Sequence, residues 1–477
     1  MNLTVRDCPL FKNELQKISF EGNKHLFFVK GRKVAALTEF ASERATGLKY
    51  YVTPQPGIGG RIKQLIEDFI VREITPEGIL LPINAQQDRE NDNQNGEYTI
   101  FHLQKYDWDN HRLIRILSRR LKTSRKRFSF AGTKDRRALT IQRMSAWKIP
   151  PERLLGLRIK DVKILNPVYA KKPVKLGDLW GNNFTIIIRD IRESKMKIEQ
   201  AIAQFQDVVK MMGGLPNFFG HQRFGTLRPI THLVGKAFIQ GNFKKAAEIY
   251  LTTTSPLESK EAILARTELN ETKDYRNALK NFPKGYKPEL AMMNHLVKHP
   301  NDFINAFRKI SKGLRLMFIH AFQSYIFNKF LSLRIEKGMS LKPIDGDIIQ
   351  TVNGGVDLFT ENQDDMNTTL VAPLIGYELS LFPAGIIGDL FNEILEKEEI
   401  QPSMFRIKSY PEASSKGGYR PVVMPIKDFQ VLEINKDHLN DDRNMLKITF
   451  SLGKGSYATV LLRELMKTDL VTPIYED

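Results

Sequence analysis

The chain has 477 residues, 42% of them hydrophobic, and carries 72 Lys and Arg against 54 Asp and Glu, a formal charge of +18. That length divides into two or three packed domains, and the basic excess suits a polyanionic partner, either nucleic acid or an acidic membrane surface. A single cysteine, Cys8, excludes an internal disulfide, a thiolate metal cluster and a CxxC redox pair. No apolar run reaches about 18 residues and the first residues lack a signal-peptide pattern, so the expectation is a cytoplasmic protein with no membrane partner.

Residues 1–41 read as a small mixed segment with apolar runs at 26–29 and 34–37. Residues 53–60, Thr-Pro-Gln-Pro-Gly-Ile-Gly-Gly, form a turn-rich connector whose glycines match neither dinucleotide nor Walker spacing. Residues 61–74 end in a strand alternating Phe69, Val71 and Glu73; Lys63 ahead of it reads, taken alone, as a surface cation. A polar stretch at 86–97 is a solvated loop, and a strand at 98–103 follows. Asn110 is placed to cap a helix in which Leu113, Ile114, Leu117 and Leu121 recur at helical spacing, with Arg112, Arg115, Arg119 and Arg120 on the remaining face.

The window 112–143 holds twelve basic residues and one acid, Asp135. Phe128 and Phe130 alternate as a strand does, Ala131-Gly132 ends it, and Leu139 and Ile141 resume the pattern, so Asp135 sits on a loop between strands. Two readings of that acid are open. It is a turn residue paired with Lys134, Arg136 or Arg137, or it is a carboxylate held ionised by nearby cations, able to act as nucleophile or base on bound RNA.

Further along, strands at 162–165 and 179–189 and a helix at 198–212 indicate an α+β architecture without a regular βαβ repeat. Turns on either side of Asn217, Phe218 and Phe219 present aromatics beside an amide, a set suited to stacking and hydrogen-bonding an extruded base; composition alone favours three core phenylalanines instead. Residues 226–410 are helical in pattern, with apolar spacing at 233–239, 244–251, 289–298, 304–312 and 314–334 and a polar loop at 361–367. Residues 414–421 read as the return to the first domain, followed by strands at 422–425 and 446–452 and a closing buried helix that ends near Glu464.

Gly132-Thr-Lys-Asp-Arg-Arg-Ala138, with Thr140 and Gln142, resembles the catalytic motif of the TruD family of tRNA pseudouridine synthases, in which the Asp is the essential residue. Pro216-Asn-Phe-Phe-Gly-His-Gln-Arg-Phe-Gly225 is similar to that family's Pro-Asn-Tyr-Phe-Gly-x-Gln-Arg-Phe-Gly, with Phe218 in place of Tyr. Gln323-Ser-Tyr-Ile-Phe-Asn328 resembles its Gln-Ser-x-x-Phe-Asn helix, and Lys63 matches a Lys ahead of its first core strand, with Ile66 where the family usually has Pro. The likeness spans about 44–470 and includes the stretch 453–464.

This resemblance implies a pseudouridine synthase core with a mixed or antiparallel sheet, plus an inserted, mainly helical TRUD-type α+β domain. The implied division is 1–43, an extension of open role; 44–213, core; 214–422, insertion; and 423–477, core again. It implies isomerisation of uridine to pseudouridine in tRNA, at position 13, with Asp135 attacking ribose C1′ or taking the 2′ proton. Lys63 would hold Asp135 ionised, Phe219 would stack on the rotating base, and Asn217 would bond the uracil edge or brace the loop. RNA contacts fall to Arg112, Arg115, Arg119, Arg120, Lys134, Arg136, Arg137 and Arg223. No cofactor or metal is expected, and tRNA is the expected partner of a monomer. The alternative is a non-catalytic RNA-binding or RNA-chaperone protein on the same fold, which accounts for the charge but not for a lone acid in a basic loop.

Overall fold

The computed structural model describes residues 27–29, 32–84, 96–360 and 368–470. Cys8, most of the polar stretch at 86–97 and the one at 361–367 lie outside them. The class is α+β, and no helix among the described residues is long and apolar enough to cross a membrane. The core is a mixed nine-stranded sheet made of β1 (Arg61–Ile62), β2 (Phe69–Ile74), β3 (Tyr98–Tyr106), β4 (Phe128–Phe130), β5 (Leu139–Trp147), β6 (Val162–Ala170), β7 (Gly181–Ile191), β8 (Ile426–Lys436) and β9 (Asn444–Gly453). Its order is β8-β9-β7-β2-β5-β3-β6, with β1 added to β7 and β4 to β5; the β2–β5 pair is parallel and the others antiparallel.

Register decides what this sheet can carry. Val71, Thr140 and Lys105 lie abreast, and Phe101 faces Met144, so one face presents Phe69, Val71 and Glu73 of β2, Thr140, Gln142 and Met144 of β5, and Phe101, Leu103 and Lys105 of β3. At one side Phe69 and Val71 join Phe184, Ile186 and, from the helix α2 (Lys195–Met212), Ile198 and Phe205. At the other, Phe101, Leu103 and Met144 receive Leu113 and Leu117 of the helix α1 (Asn110–Arg120). Between the two apolar patches Glu73, Lys105, Thr140 and Gln142 form a polar strip, every member fully buried. α1 begins one residue earlier than its sequence suggests. The Asp109 carboxylate accepts from the Arg112 amide at 2.7 Å and is the cap, whereas the Asn110 amide is committed to Gln142 Oε1 at 3.0 Å.

The chain leaves this core at Leu215–Pro216 and returns at Val423–Met424, and these two segments pair antiparallel as one ladder. Gly214 is required there: its φ is +148° and a Cβ would lie 2.3 Å from the Met424 carbonyl oxygen. The expected return at 414–421 is corrected. Gly418–Pro421 pairs with Thr368–Leu374 at the edge of a separate four-stranded sheet, and core pairing resumes only with β8. The intervening helices include the long α3 (Lys312–Glu336), approached closely by Thr231–Ile239 because Gly235 has no Cβ to meet the Phe318 carbonyl oxygen, 2.0 Å from where it would stand. Helices at Lys260–Thr272, Tyr275–Asn281 and Gly385–Lys397 were not anticipated from the sequence. One apolar cluster contains Ile186 and Phe205 together with Phe238, Phe318 and Phe322, so the inserted segment and the sheet share a core. The chain then closes with the buried helix α4 (Ala458–Met466).

Arg189 on β7 ties the sheet's borders together. Its Nε donates to Asp68 at 2.9 Å and its Nη1 to Asp437 at 3.0 Å, all three side chains being inaccessible or nearly so. Replacing it with Met leaves two buried carboxylates without a cation, and urea unfolding of Arg189→Met is expected to show a loss of about 3–5 kcal/mol. A loss below about 1 kcal/mol would mean that the pair is dispensable.

Candidate active site around Asp135

The loop between β4 and β5 lies across the polar strip and is bonded to it at successive points. Gln142 Nε2 donates to the Gly132 carbonyl at 3.3 Å, Lys134 Nζ meets Glu73 Oε2 at 2.8 Å, and Lys105 Nζ donates to the Asp135 carbonyl at 2.7 Å. These anchors draw the main chain down onto the sheet while the Asp135 side chain faces outward, 36% exposed. Arg143 supports the same arrangement from β5, its guanidinium 3.8 Å from Glu73 and donating to the Asp178 carbonyl.

Lys63 approaches from the turn between β1 and β2 in the left-handed conformation, φ +60°. Its ammonium donates to Asp135 Oδ1 at 2.9 Å and lies 4.1 Å from the centre of the Phe69 ring. Arg137 answers in the opposite direction, donating from Nε to the Lys63 carbonyl and from Nη2 to the Gln64 carbonyl, both at 2.9 Å. Three bonds, one donated by the turn and two by the loop, therefore fix a strained turn to the loop.

The second group of sequence-selected residues gathers around Arg420. Its guanidinium donates to the Asn217 carbonyl at 3.0 Å, to Asn217 Oδ1 at 2.7 Å and to the Gly455 carbonyl at 2.8 Å, and it covers the Phe219 ring 3.8 Å from the centroid. Burial pushes this guanidinium down to about 10. Asn217 also donates its amide to the Pro421 carbonyl at 3.0 Å. Asn328 of α3 accepts from the Phe219 amide at 2.8 Å and donates to the Phe219 and Thr46 carbonyls at 3.1 and 3.0 Å. Phe327 and Tyr457 flank the same ring at 5.7 and 6.0 Å. A chain of bonds joins this group to the Asp135 loop: Lys454 Nζ donates to the Gly177 carbonyl, and the Gly177 amide donates to Ala131 at the loop's start.

Four of the sequence-selected side chains are turned inward or already engaged. Lys134 has a 3% exposed side chain paired with Glu73. Arg137 is turned onto the Lys63 turn, and Arg223 is half-buried, its Nε on Ser324 Oγ at 3.0 Å. Phe219 is buried, not an open stacking platform. Arg112, Arg115, Arg119, Arg120 and Arg136 are exposed, with Arg112 over the Trp108 ring, Arg120 donating to the Arg158 carbonyl and Arg136 3.6 Å from Asp107. Lys105 and Arg420 were overlooked in the sequence. The signal for Lys105 was present, since it occupies an inward position of β3 in phase with Phe101 and Leu103. Among the described residues no group of three or more His, Cys, Asp and Glu side chains is placed to hold a metal ion.

The burial of Lys134 has a measurable consequence. Lys134→Met leaves Glu73 charged in the interior with only Arg143 nearby, so the expected outcome is destabilisation of roughly 3 kcal/mol, read by denaturant titration. A fully stable variant would show that Glu73 and Lys134 are not a working pair.

Comparison with known proteins agrees with this architecture. The family model described as tRNA pseudouridine synthase D (TruD) matches residues 45–465. "Probable tRNA pseudouridine synthase D" proteins of Methanosarcina acetivorans and Methanosarcina mazei are each 40% identical over 443 residues, covering 90% of this chain and 97% and 98% of theirs. A crystal structure of a TruD protein from Methanosarcina mazei superposes with a TM-score of 0.74 at 38% identity, covering 91% of this chain and 99% of that one. On sequence, fold and extent of match, the chain belongs to the TruD family.

Proposed function

We propose that the chain isomerises uridine to pseudouridine in tRNA, at position 13, with Asp135 as the carboxylate that acts on the ribose. The observation that carries this reading is the Lys63–Asp135 pair, 2.9 Å apart, on a loop that Gly132, Lys134 and the Asp135 carbonyl anchor to the buried polar strip of the sheet. In the reaction the N1–C1′ bond breaks, the uracil rotates while it is retained, C5 bonds to C1′, C5 loses its proton and N1 gains one. Asp135 serves either as nucleophile at C1′ or as base toward the 2′ proton. Lys63 orients the carboxylate by a charge-assisted hydrogen bond, so the reactive oxygen need not be ordered as the substrate arrives.

RNA lies against the outward face of α1, where Arg112, Arg115 and Arg119 stand clear of the apolar contacts made by Leu113 and Leu117. Asn217 and Phe219 shape the wall of the site and are held by Arg420 and Asn328, which favours bracing over open stacking.

Asp135→Asn keeps size and one carbonyl oxygen but removes the charge. Turnover of tRNA containing 5-tritiated uridine is expected to fall at least ~10³-fold, while tRNA affinity stays level or rises slightly as repulsion of phosphate is removed. Substantial tritium release from this variant would make Asp135 a turn residue and favour a binding role for the protein. For the RNA face, substituting Arg115 and Arg119 together should flatten the dependence of log affinity on log salt by about two counterions. An unchanged slope would place the RNA elsewhere.

A further inference from the structure

Lys105 is a lysine with no exposed surface, on the last turn of the pleat before β3 ends at Tyr106. A buried ammonium is unfavourable unless paired and hydrogen-bonded, yet the hydrogen bond seen for its Nζ among the described residues goes to a neutral group, the Asp135 carbonyl, at 2.7 Å. The surroundings do little to solvate it. Thr140 stands beside it on β5 with a buried hydroxyl that has no partner among the described residues, and Val162 stands beside it on β6. The charged groups that face it are Asp135 and Lys134 from the loop, Asp107 beyond the end of its own strand and Asp109 at the cap of α1; Lys134 is already committed to Glu73.

We infer that Lys105 is a positioning residue of the Asp135 site: its ammonium holds the Asp135 main chain against the sheet through the carbonyl, and the site loses its reactive geometry when that amine is neutral. This rests on the reading of Asp135 given above. Lys63 fixes the carboxylate end of the residue and Lys105 the backbone end, so the side chain is held from both sides and has little freedom left to swing. A neutral amine is a weaker donor and adds no field at the carboxylate.

The same burial sets a conflict between fold and activity. Desolvation pushes Lys105 down from 10.5 to about 8, with the nearby Asp135 and Asp109 opposing the shift. Between those two values the unfolded chain holds the proton and the folded chain does not, so the unfolded state binds more protons and this group's contribution to stability rises with pH. Activity runs the other way, because the proton is lost from the donor that the site uses. A lysine kept for packing alone would show no such opposition.

The experiment uses the full chain and a tRNA transcript with 5-tritiated uridine, in single turnover across pH 6.5–10. The wild type is expected to lose rate with an apparent midpoint near 8, the value burial gives Lys105. Lys105→Arg, whose charge does not titrate in this range, is expected to stay active and to lack that decline. Lys105→Met is expected to fold with an unfolding midpoint equal to or above that of the wild type. It is also expected to bind tRNA with unchanged affinity and to react about 10²-fold more slowly. A wild-type rate in Lys105→Met, a flat wild-type profile through pH 9, or a Lys105→Met chain that does not fold would each overturn the inference. Failure of the underlying reading is seen separately, as turnover that survives Asp135→Asn.

Discussion

The polar strip buried on one face of the sheet is what the rest of the site depends on. Glu73, Lys105 and Gln142 have no access to water, and the loop that crosses them supplies each with a partner, Lys134, the Asp135 carbonyl and the Gly132 carbonyl respectively, beside the bonds that Glu73 makes to the Arg143 amide and Gln142 to Asn110. An apolar strip would bury more favourably and would accept the loop in many positions. A polar strip accepts it in one, because a shift of a single residue would leave a buried carboxylate and a buried ammonium unpartnered at once. The shape of the loop is therefore over-determined by groups that do no chemistry. The Asp135 side chain then faces outward, with Lys63 as its partner.

The inserted segment holds residues 217–219 in the same manner. Arg420 comes from its four-stranded sheet and Asn328 from its longest helix, yet both are spent on residues 217–219, which immediately follow the exit strand Leu215–Pro216. Arg420 is a buried cation whose acceptors are carbonyl and amide oxygens, and burial depresses its proton affinity. Such a group gains little for stability and much for specificity of arrangement, since its planar fork fits Asn217 and Gly455 in one orientation only. With the two chain crossings paired as a ladder and one apolar cluster running through both parts, the insertion acts as a wall of the core.

What the sequence made legible follows from which signals are local. The strand alternation around Phe69 and Phe128, the apolar phase of α1 and the loop position of Asp135 depend on neighbours along the chain, and all appear in the structure. The Lys63–Asp135 contact joins residues 72 positions apart, and only the family resemblance connected them. The helix Lys260–Thr272 was missed because its inward face is Ala262, Ala265, Arg266 and Leu269; a fully buried arginine paired with Glu258 and Glu289 breaks the apolar stripe that marks a helix. The cap of α1 was displaced by one residue because Asp109 and Asn110 are equally good capping types, and only Gln142, on a distant strand, decides between them. Residues 414–421 read only as a return to the core, and the strand Gly418–Pro421 within them was not seen, since nothing in Gly-Tyr-Arg-Pro records its partner.

The basic window 112–143 shows how far a charge count carries an argument. Its cations divide by the phase of the elements that bear them. On α1 the Leu113–Leu117 stripe faces the sheet and turns Arg112, Arg115 and Arg119 outward. In the loop and on β5 the sheet's own polarity turns Lys134 and Arg143 inward to a single carboxylate, Glu73, and Arg137 sideways to the Lys63 turn. At low salt the potential seen by an approaching polyanion sums over both sets, because the Debye length, about 30 Å at 0.01 M, then exceeds the thickness of one element. Contacts do not sum in that way. The inward set can bend the field at Asp135 and hold its loop, and the outward set can neutralise phosphate, but no residue of the first can replace one of the second. Sequence composition thus predicts the partner's charge, whereas the assignment of each cation to a task follows from the alternation of a strand and the turn of a helix.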